Sequence, residues 1–182
     1  MAKQWVKLKL SLSFSLLFSA SAFAGSEPVS GLTQNDLSRP EAVKQWLVEN
    51  TATADKQVAQ DFFVMGNDYM QKKNWSAAAK AFGESALFFP APKTLRARAD
   101  VELRMLGMIR SRKKGPNTML KSDLEYALKM YSTSLAADDM LHTLTPDERQ
   151  TVEADIQCIS IFLKKPTSKT SCKPVQDYGA IN

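Results

Sequence analysis

Residues 59–92 read AQDFFVMGNDYMQKKNWSAAAKAFGESALFFPAP, and this stretch decides the fold. It predicts two helices, at about residues 54–73 and 75–89, joined by a polar turn at residues 72–74. Asn74 is placed to cap the N-terminus of the second helix, because its side chain can accept a hydrogen bond from a backbone N–H of the first turn. We therefore expect a helix–turn–helix unit.

The side chains of this stretch suit two helices in close contact. Gly66 and Ala78 are small, so the helices can approach each other where these residues meet. Pro90 ends the second helix because proline has no backbone N–H. The large apolar residues that fill the space around the contact are Phe62, Met65, Tyr69 and Phe82.

Seven residues of this stretch resemble the pattern of the tetratricopeptide repeat, a helix–turn–helix unit of 34 residues. They match it in register: Phe62, Met65, Gly66, Tyr69, Ala78, Phe82 and Pro90. The resemblance implies an all-α, short helical solenoid that serves as a protein-binding scaffold. It does not name a ligand, because one architecture of this kind binds many partners.

A second, more divergent repeat is expected at about residues 100–141. The interval between its small residues Gly107 and Ala127 is longer by eight residues than the interval between Gly66 and Ala78. These eight residues lie in the turn or extend the helices beside it. The residues that follow the pattern are Leu103, Leu106, Gly107, Ala127 and Tyr131, whereas Arg110 stands where the repeat has a tyrosine.

Helices are expected on both sides of the repeats, within a domain of residues 38–165. Ser38 is predicted as the N-cap of a leading helix, with Glu41 completing a capping box, and this helix is expected to pack on the outside of the first repeat. A capping helix is predicted at about residues 146–165, with Thr145 as its N-cap. Its apolar stripe is Val152, Ile156, Ile159 and Leu163.

The two ends of the chain have different compositions. Residues 1–24 combine three lysines, a short apolar core and the small-residue motif Ala22-Phe23-Ala24, which is typical of a secretory signal peptide cleaved after Ala24. A membrane anchor would need about 20 apolar residues, so a stable anchor after cleavage is not expected. We expect a periplasmic or secreted protein, with a flexible leader at residues 25–37 and a C-terminal tail at residues 166–182.

Removal of the signal peptide changes the charge of the protein. The whole chain carries a net charge of +5 from 24 basic and 19 acidic residues. The signal peptide contains three lysines and no acidic residue, so the mature chain carries 21 basic and 19 acidic residues. This balance does not indicate a strong polyanion-binding protein, and nucleic acid is not an expected partner.

The two cysteines, Cys158 and Cys172, are interpreted together. In an exported protein an oxidising compartment favours a disulfide between them. The alternative is two free thiols, one on the capping helix and one in the tail. A disulfide would close a loop of about 15 residues, which contributes roughly 3 kcal/mol in the chain-entropy model.

The sequence contains little that suggests catalysis. His142 is the single histidine, and no phosphate-binding glycine loop, G-x-S-x-G or H-E-x-x-H motif is present. The carboxylates are spread along predicted helix ends, where capping explains them. We therefore predict a non-catalytic protein with no catalytic residues, no metal site and no cofactor.

The resemblance implies that the first helix of each repeat lines a ligand-binding groove. By register, the groove positions are Gln60, Phe63, Asn67, Met70 and Gln71 in the first repeat, and Val101, Arg104, Met108, Ser111 and Arg112 in the second. Apolar side chains there would hold an apolar peptide residue, Asn67 would bind peptide backbone, and Arg104 and Arg112 would bind carboxylates. The alternative is that Phe63 and Met70 only pack against the N-terminal helix. The residues predicted to bind peptide are Phe63, Asn67, Met70, Gln71, Arg104, Met108 and Arg112.

Two partners remain open from the sequence. The favoured function is an adaptor that binds an envelope protein or peptide through the groove. The alternative is binding of an anionic envelope polymer, peptidoglycan or lipopolysaccharide, through the basic residues between positions 96 and 114. A run of this kind is also typical of a solvated helix face.

Overall fold

The computed structural model describes residues 31–112, 121–165 and 172–179. The predicted signal peptide, the connection between the two long helices and parts of both predicted chain ends lie outside these ranges. Every secondary-structure element within them is helical, which confirms the predicted all-α fold. A 3₁₀ turn at Asp36–Ser38 is followed by α1 (Pro40–Asn50), α2 (Lys56–Gln71), α3 (Trp75–Phe88), α4 (Pro92–Arg112), α5 (Lys121–Leu141), α6 (Pro146–Lys164) and α7 (Lys173–Asp177).

Helices α2 and α3 form the hairpin that the quoted stretch predicts. The Asn74 side chain caps α3 by accepting a hydrogen bond from the backbone N–H of Ala77 at 3.3 Å. Between the helices lies a small cluster, the hairpin core, formed by Ala78, Ala79 and Phe82 of α3 and Val101 of α4. Sequence neighbours Phe62 and Phe63 of α2 both contact α3: Phe62 stacks on Phe88 with ring centroids 5.8 Å apart.

Helices α4 and α5 are both 21 residues long. Helix α4 begins at Pro92, eight residues before the predicted start of the second repeat, and it packs against both α3 and α5. Because α4 and α5 are longer than α2 and α3, the extra helical residues account for part of the longer interval between Gly107 and Ala127. With α6 and α7, the two helices enclose the C-terminal core: Ala99, Leu103, Leu124, Ala127, Met130, Tyr131, Val152, Ile159, Phe162, Val175 and Tyr178.

Helix α1 packs chiefly on α5 rather than on the first repeat. Its buried residues Val43, Trp46 and Leu47 form the N-terminal core, which also contains Leu37, Ala86 of α3, Leu95 of α4 and Ala137 of α5. The expected position outside the first repeat is therefore wrong: α1 packs mainly on α5, and Ala86 is the buried residue of the hairpin that joins its core. Residues 31–37, assigned from sequence to a flexible leader, contribute Leu37 to this core with no exposed surface.

The start of α1 also differs from the prediction. Pro40 occupies the first helical turn, and the N-cap residue is Arg39, whose side chain makes no capping hydrogen bond. The Ser38 hydroxyl instead donates to the backbone carbonyl of Asn35 at 2.9 Å. The predicted capping box at Ser38 and Glu41 is wrong because Pro40 favours a helix start one residue later than a Ser38 cap requires.

Helix α6 covers the C-terminal core as the capping helix was expected to do. Its predicted capping box is present: the Thr145 N–H donates to the Glu148 carboxylate at 2.8 Å, and the Glu148 N–H donates to the Thr145 hydroxyl at 3.2 Å. The buried face of α6 agrees with the predicted stripe at Val152 and Ile159, whereas Ile156 is only partly buried. Phe162 is buried in the core, whereas Leu163 is only partly buried at its edge.

The C-terminal segment is more ordered than its sequence suggests. Cys158 of α6 and Cys172 form the disulfide that the sequence analysis favours, with their Cα atoms 6.3 Å apart. The short helix α7 follows at once, and Val175 and Tyr178 are buried in the C-terminal core. Within the described ranges, no helix is both long and apolar enough to cross a bilayer.

Candidate functional site

One side of α4 carries partly buried charged residues together with the exposed Met108. Residues spaced by three or four positions lie on the same side of a helix. On α4 these are Arg96, Asp100, Arg104 and Gly107, with Met108 directly after Gly107. We call this side the Arg104 face. Helix α3 borders it at Trp75, and helix α7 borders it on the other flank.

Arg104 is held between these two borders. Its guanidinium lies over the ring of Trp75, 4.9 Å from the ring centroid, and Nη2 donates to Oδ2 of Asp177 at 3.0 Å. Its Nε–H is buried and has no acceptor. The sequence predicts that Arg104 binds a carboxylate, and in the structure it binds one that belongs to the C-terminal segment of the same chain.

A patch of large apolar side chains lies at one end of the Arg104 face. We call it the Trp75 surface, and it consists of Trp75, Met105, Met108 and Ile109. Two adjoining clefts of about 410 Å³ and about 250 Å³ share Trp75 and Met108 in their walls. Met108 is 39% exposed and Ile109 is 43% exposed, although both are large and apolar. Exposed apolar residues that cluster around clefts are typical of binding surfaces.

Two of the predicted groove residues of α2, Phe63 and Met70, pack against neighbouring helices of the protein itself. The Phe63 ring lies against Phe82 with centroids 5.5 Å apart, and Met70 is partly buried against the hairpin core. These contacts are with α3 and α4, so the alternative in which both residues pack against the N-terminal helix is wrong. Asn67 donates from its side chain to the Phe63 carbonyl at 3.1 Å, within its own helix. Gln60 and Gln71 are exposed.

The predicted groove residues of α4 divide into three groups. Val101 is fully buried in the hairpin core and does not face a ligand. Arg104 and Met108 lie together on the Arg104 face, where both line the larger cleft. Ser111 and Arg112 belong to the last turn of α4, but their side chains lie outside the described part of the structure. Their proposed contacts with a ligand stay predictions.

Two carboxylates are largely buried where α4 meets α6: Asp100, which belongs to the Arg104 face, and Asp155 of α6. Burial raises the pKa of Asp100, which accepts a hydrogen bond from the Tyr131 hydroxyl. Burial, and then the charge of Asp100, raise the pKa of Asp155 to about 6. The charge of Arg96 opposes both shifts; its Nη2 is 3.9 Å from the Asp155 carboxylate, and its Nε has no acceptor. Because the raised pKa values follow from burial, they do not by themselves indicate catalysis.

The four described arginines of the basic stretch of α4 do not form a solvated face. Each has a carboxylate partner: Asp155 for Arg96 at 3.9 Å, Glu102 for Arg98 at 2.7 Å, Asp177 for Arg104 at 3.0 Å and Asp123 for Arg110 at 3.1 Å. Their side chains are between 8% and 30% exposed. The pairing occurs because α4 lies between other helices along its length. Lys113, Lys114 and the Arg112 side chain lie outside the described part.

Sequence reasoning missed two components of this site. The sequence predicts Trp75 only as the first residue of a helix. Its size and its position directly after the turn were the available signals of a contact with α4. The C-terminal segment 172–179 had no helical periodicity because α7 is just five residues long. The available signals were Pro174 in the first turn and the apolar residues Val175 and Tyr178, three positions apart.

Comparison of the chain with protein-family models, curated proteins and solved structures finds no match.

Proposed function

We propose that this protein is a non-catalytic adaptor of the bacterial periplasm, built as a tetratricopeptide-like stack, which binds a segment of another envelope protein at the Trp75 surface. The exposed fractions of Met108 and Ile109 beside Trp75 are the observation that carries this proposal. The Cys158–Cys172 disulfide fits a compartment outside the cytoplasm. The signal peptide at residues 1–24 directs the chain there.

The chemistry of the surface favours a particular kind of segment. Trp75, Met108 and Ile109 offer apolar and polarisable contact area, and methionine adapts to side chains of different shape. Lys73 lines the smaller cleft and is exposed, so positive charge lies beside the apolar area. A peptide that carries a large apolar side chain next to a carboxylate complements both features.

A non-catalytic role is consistent with the titratable groups that are described. His142 is exposed at the connection between α5 and α6 and takes a positive φ of 51° where α5 ends. Asp100 and Asp155 are enclosed by helices, and their partners Tyr131 and Arg96 are bound to them in the interior. Asp100 and Asp155 thus take part in contacts between helices.

Affinity capture from an envelope fraction tests the proposal with matched variants. Ile109→Asp places a charge in the Trp75 surface, and we expect it to reduce capture of the partner by at least about tenfold, the equivalent of roughly 1.4 kcal/mol. Ile161→Asp is the control, because Ile161 is 49% exposed on α6 and does not line the Trp75 surface. Equal capture by both variants would place the partner elsewhere.

Salt concentration separates this function from binding of an anionic polymer. Polymer binding depends on exposed cations and weakens as the Debye length falls from about 10 Å at 0.1 M to about 3 Å at 1 M salt. Binding to the Trp75 surface depends mainly on apolar contacts and changes little. The internal pairing of Arg96, Arg98, Arg104 and Arg110 favours the adaptor.

A further inference from the structure

The C-terminal segment 172–179 lies on the Arg104 face as a bound peptide would. At one end the Asp177 carboxylate accepts from Arg104 at 3.0 Å. The backbone of Tyr178 passes so close to Gly107 that a Cβ there would lie 2.7 Å from the Tyr178 carbonyl oxygen. The Tyr178 hydroxyl donates to Asp123 of α5 at 2.7 Å. Gly107 therefore provides the space that a neighbouring backbone needs.

The charges of the segment match those of the surface beneath it. Lys173 lies near the buried carboxylates Asp100 and Asp155, and its charge acts to lower the pKa of each against the effect of burial. Lys173 also pairs with Asp177 one helical turn later. A cation thus faces the acidic part of the site, and a carboxylate faces its arginine.

The segment could not hold its helical form alone. Helix α7 has five residues, well below the roughly 12–15 residues that an isolated helix needs in water. It is joined to α6 by the Cys158–Cys172 disulfide immediately before its first residue. A short tether gives an attached segment an effective concentration on the order of millimolar, so modest contacts suffice to keep it bound.

We propose that this part of the Arg104 face is a peptide-binding site whose resident ligand is the chain's own segment 172–179. The ligand class is a short helical peptide with a basic residue, a carboxylate four positions later and a tyrosine directly after it, as in Lys173, Asp177 and Tyr178. A partner segment of this class binds when the resident segment is displaced. The inference rests on the proposed function only in that the Trp75 surface, where a partner is proposed to bind, adjoins this part of the Arg104 face.

The test uses the full mature chain with a segment that can no longer bind. The variant Cys172→Ser/Val175→Asp/Tyr178→Ser removes the tether and the two buried side chains of the segment. A fluorescent peptide with the sequence of residues 172–179 and serine in place of Cys172 is the probe. We expect saturable binding to the variant, measured by fluorescence anisotropy, and no binding to the oxidised wild-type chain.

A second peptide tests the chemistry of recognition. Asp177→Lys in the peptide should weaken binding by at least about tenfold, because it replaces the charge-assisted hydrogen bond to Arg104 with repulsion between two cations. Equal binding of both peptides would overturn the proposal, and so would absence of binding to a variant whose circular dichroism matches the wild type. If the triple variant is not folded, the double variant Cys172→Ser/Tyr178→Ser, which retains Val175, takes its place under the same criteria.

These outcomes are independent of the capture experiment. The peptide assay uses purified chain and reports on the site between α4 and α6. Capture by Ile109→Asp reports on the Trp75 surface. If the peptide does not bind and Ile109→Asp still reduces capture of the partner as expected, this inference is overturned and the proposed function stands.

Discussion

The ring of Phe82 lies directly over Gly66, where helices α2 and α3 cross. A Cβ atom added at Gly66 would come within 2.6 Å of two ring carbons of Phe82. Phe82 is fully buried, and Phe63 and Val101 lie around it. The closest approach of the hairpin therefore depends on the missing side chain at position 66.

Gly66→Ala should destabilise the protein by about 1–3 kcal/mol, the usual cost of overpacking a core. The reason is that a rigid aromatic ring without exposed surface has no room to move away. Denaturant unfolding measures the change as a lower midpoint at constant slope.

A double-mutant cycle isolates the contact between Gly66 and Phe82. Phe82→Leu removes the ring carbons nearest to the new methyl group, so Gly66→Ala should cost less in that background than in the wild type. An equal cost in both backgrounds would show that the ring is not what excludes the methyl group.

The hairpin and the capping helix were predictable because local chemistry specifies them. Asn74 and Thr145 cap helices at the predicted residues, and Gly66 supplies the close approach that its place in the pattern implies. The same local logic failed at Ser38, where the neighbouring Pro40 competes for the start of the helix. Agreement between local signals predicts structure well, and conflict between two adjacent signals does not.

The candidate site was less predictable because its parts come from distant positions. Arg104 and Met108 were identified by register, but the partner of Arg104 is Asp177, 73 residues later. Phe63 and Met70 match groove positions, yet contacts with Phe82 and its neighbours bury part of each. A helix of five residues has too few positions to show periodicity, so no pattern could place α7 against α4.

Lys73→Gly should stabilise the protein by a few tenths to about 1 kcal/mol. Lys73 follows the end of α2 with a φ of 55°, and Asn74 N–H donates to the Tyr69 carbonyl as in a Schellman motif. A left-handed conformation costs a residue with a Cβ roughly 1–2 kcal/mol, which glycine avoids at a smaller cost in chain entropy.

Lys72→Gly is the matched control for this prediction. The φ of Lys72 is −78°, which any residue adopts, so glycine there relieves no strain, costs chain entropy and also removes the exposed ion pair with Asp68. Thermal unfolding of the two variants should therefore shift in opposite directions. A lower melting temperature for Lys73→Gly would mean that the left-handed conformation does not strain the chain.

Asp155→Asn should stabilise the protein at pH 7.5 and have little effect at pH 4. The native pKa of Asp155, about 6, lies above the ordinary value of 3.8 because the carboxyl is buried and faces Asp100. The folded state therefore binds a proton more tightly than the unfolded chain, so this residue's contribution to stability falls as the pH rises from about 4 to 6. Asparagine removes that loss, which is at most about 3 kcal/mol for a pKa of about 6 against 3.8 at 1.36 kcal/mol per pKa unit, and which solvent screening reduces.

The charged groups around Asp155 determine how large the effect is. Arg96 of α4 and Lys173 of α7 lower its pKa, whereas Asp100 and Asp177 raise it, and Tyr131 of α5 faces the same cluster. Unfolding midpoints measured at pH 4 and pH 7.5 report the difference. A variant that is destabilised equally at both values would show that the carboxylate is needed for packing.

Glu148→Gln tests the opposite pH dependence of stability on the same helix, because the pKa of Glu148 is lowered and that of Asp155 is raised. The Lys93 ammonium, 2.8 Å away, and the Thr145 N–H hold the pKa of Glu148 at about 2, below its ordinary value of 4.5. Its stabilising contribution is present above about pH 4.5 and is lost as the pH falls towards 2. The glutamine variant should be less stable at pH 7.5 and should match the wild type more closely at pH 2.5, as followed by circular dichroism.

Arg104→Met should loosen the C-terminal segment without unfolding the hairpin. Methionine keeps an apolar side chain over Trp75, but it leaves the Asp177 carboxylate with Lys173 as its described cationic partner. We expect faster hydrogen exchange at residues 172–179 and unchanged exchange in α2 and α3, because opening is local when only local contacts are lost.

Arg149→Met controls for the loss of any helix-bridging arginine. Arg149 pairs with Asp138 of α5 at 2.8 Å, on the part of α6 remote in sequence from the disulfide, so its loss should leave exchange in segment 172–179 at the wild-type rate. In an Asp177→Asn background, Arg104→Met should add less to the exchange rate than it does alone, since the ion pair is already absent. Fully additive effects would show that Arg104 does not hold the segment through Asp177.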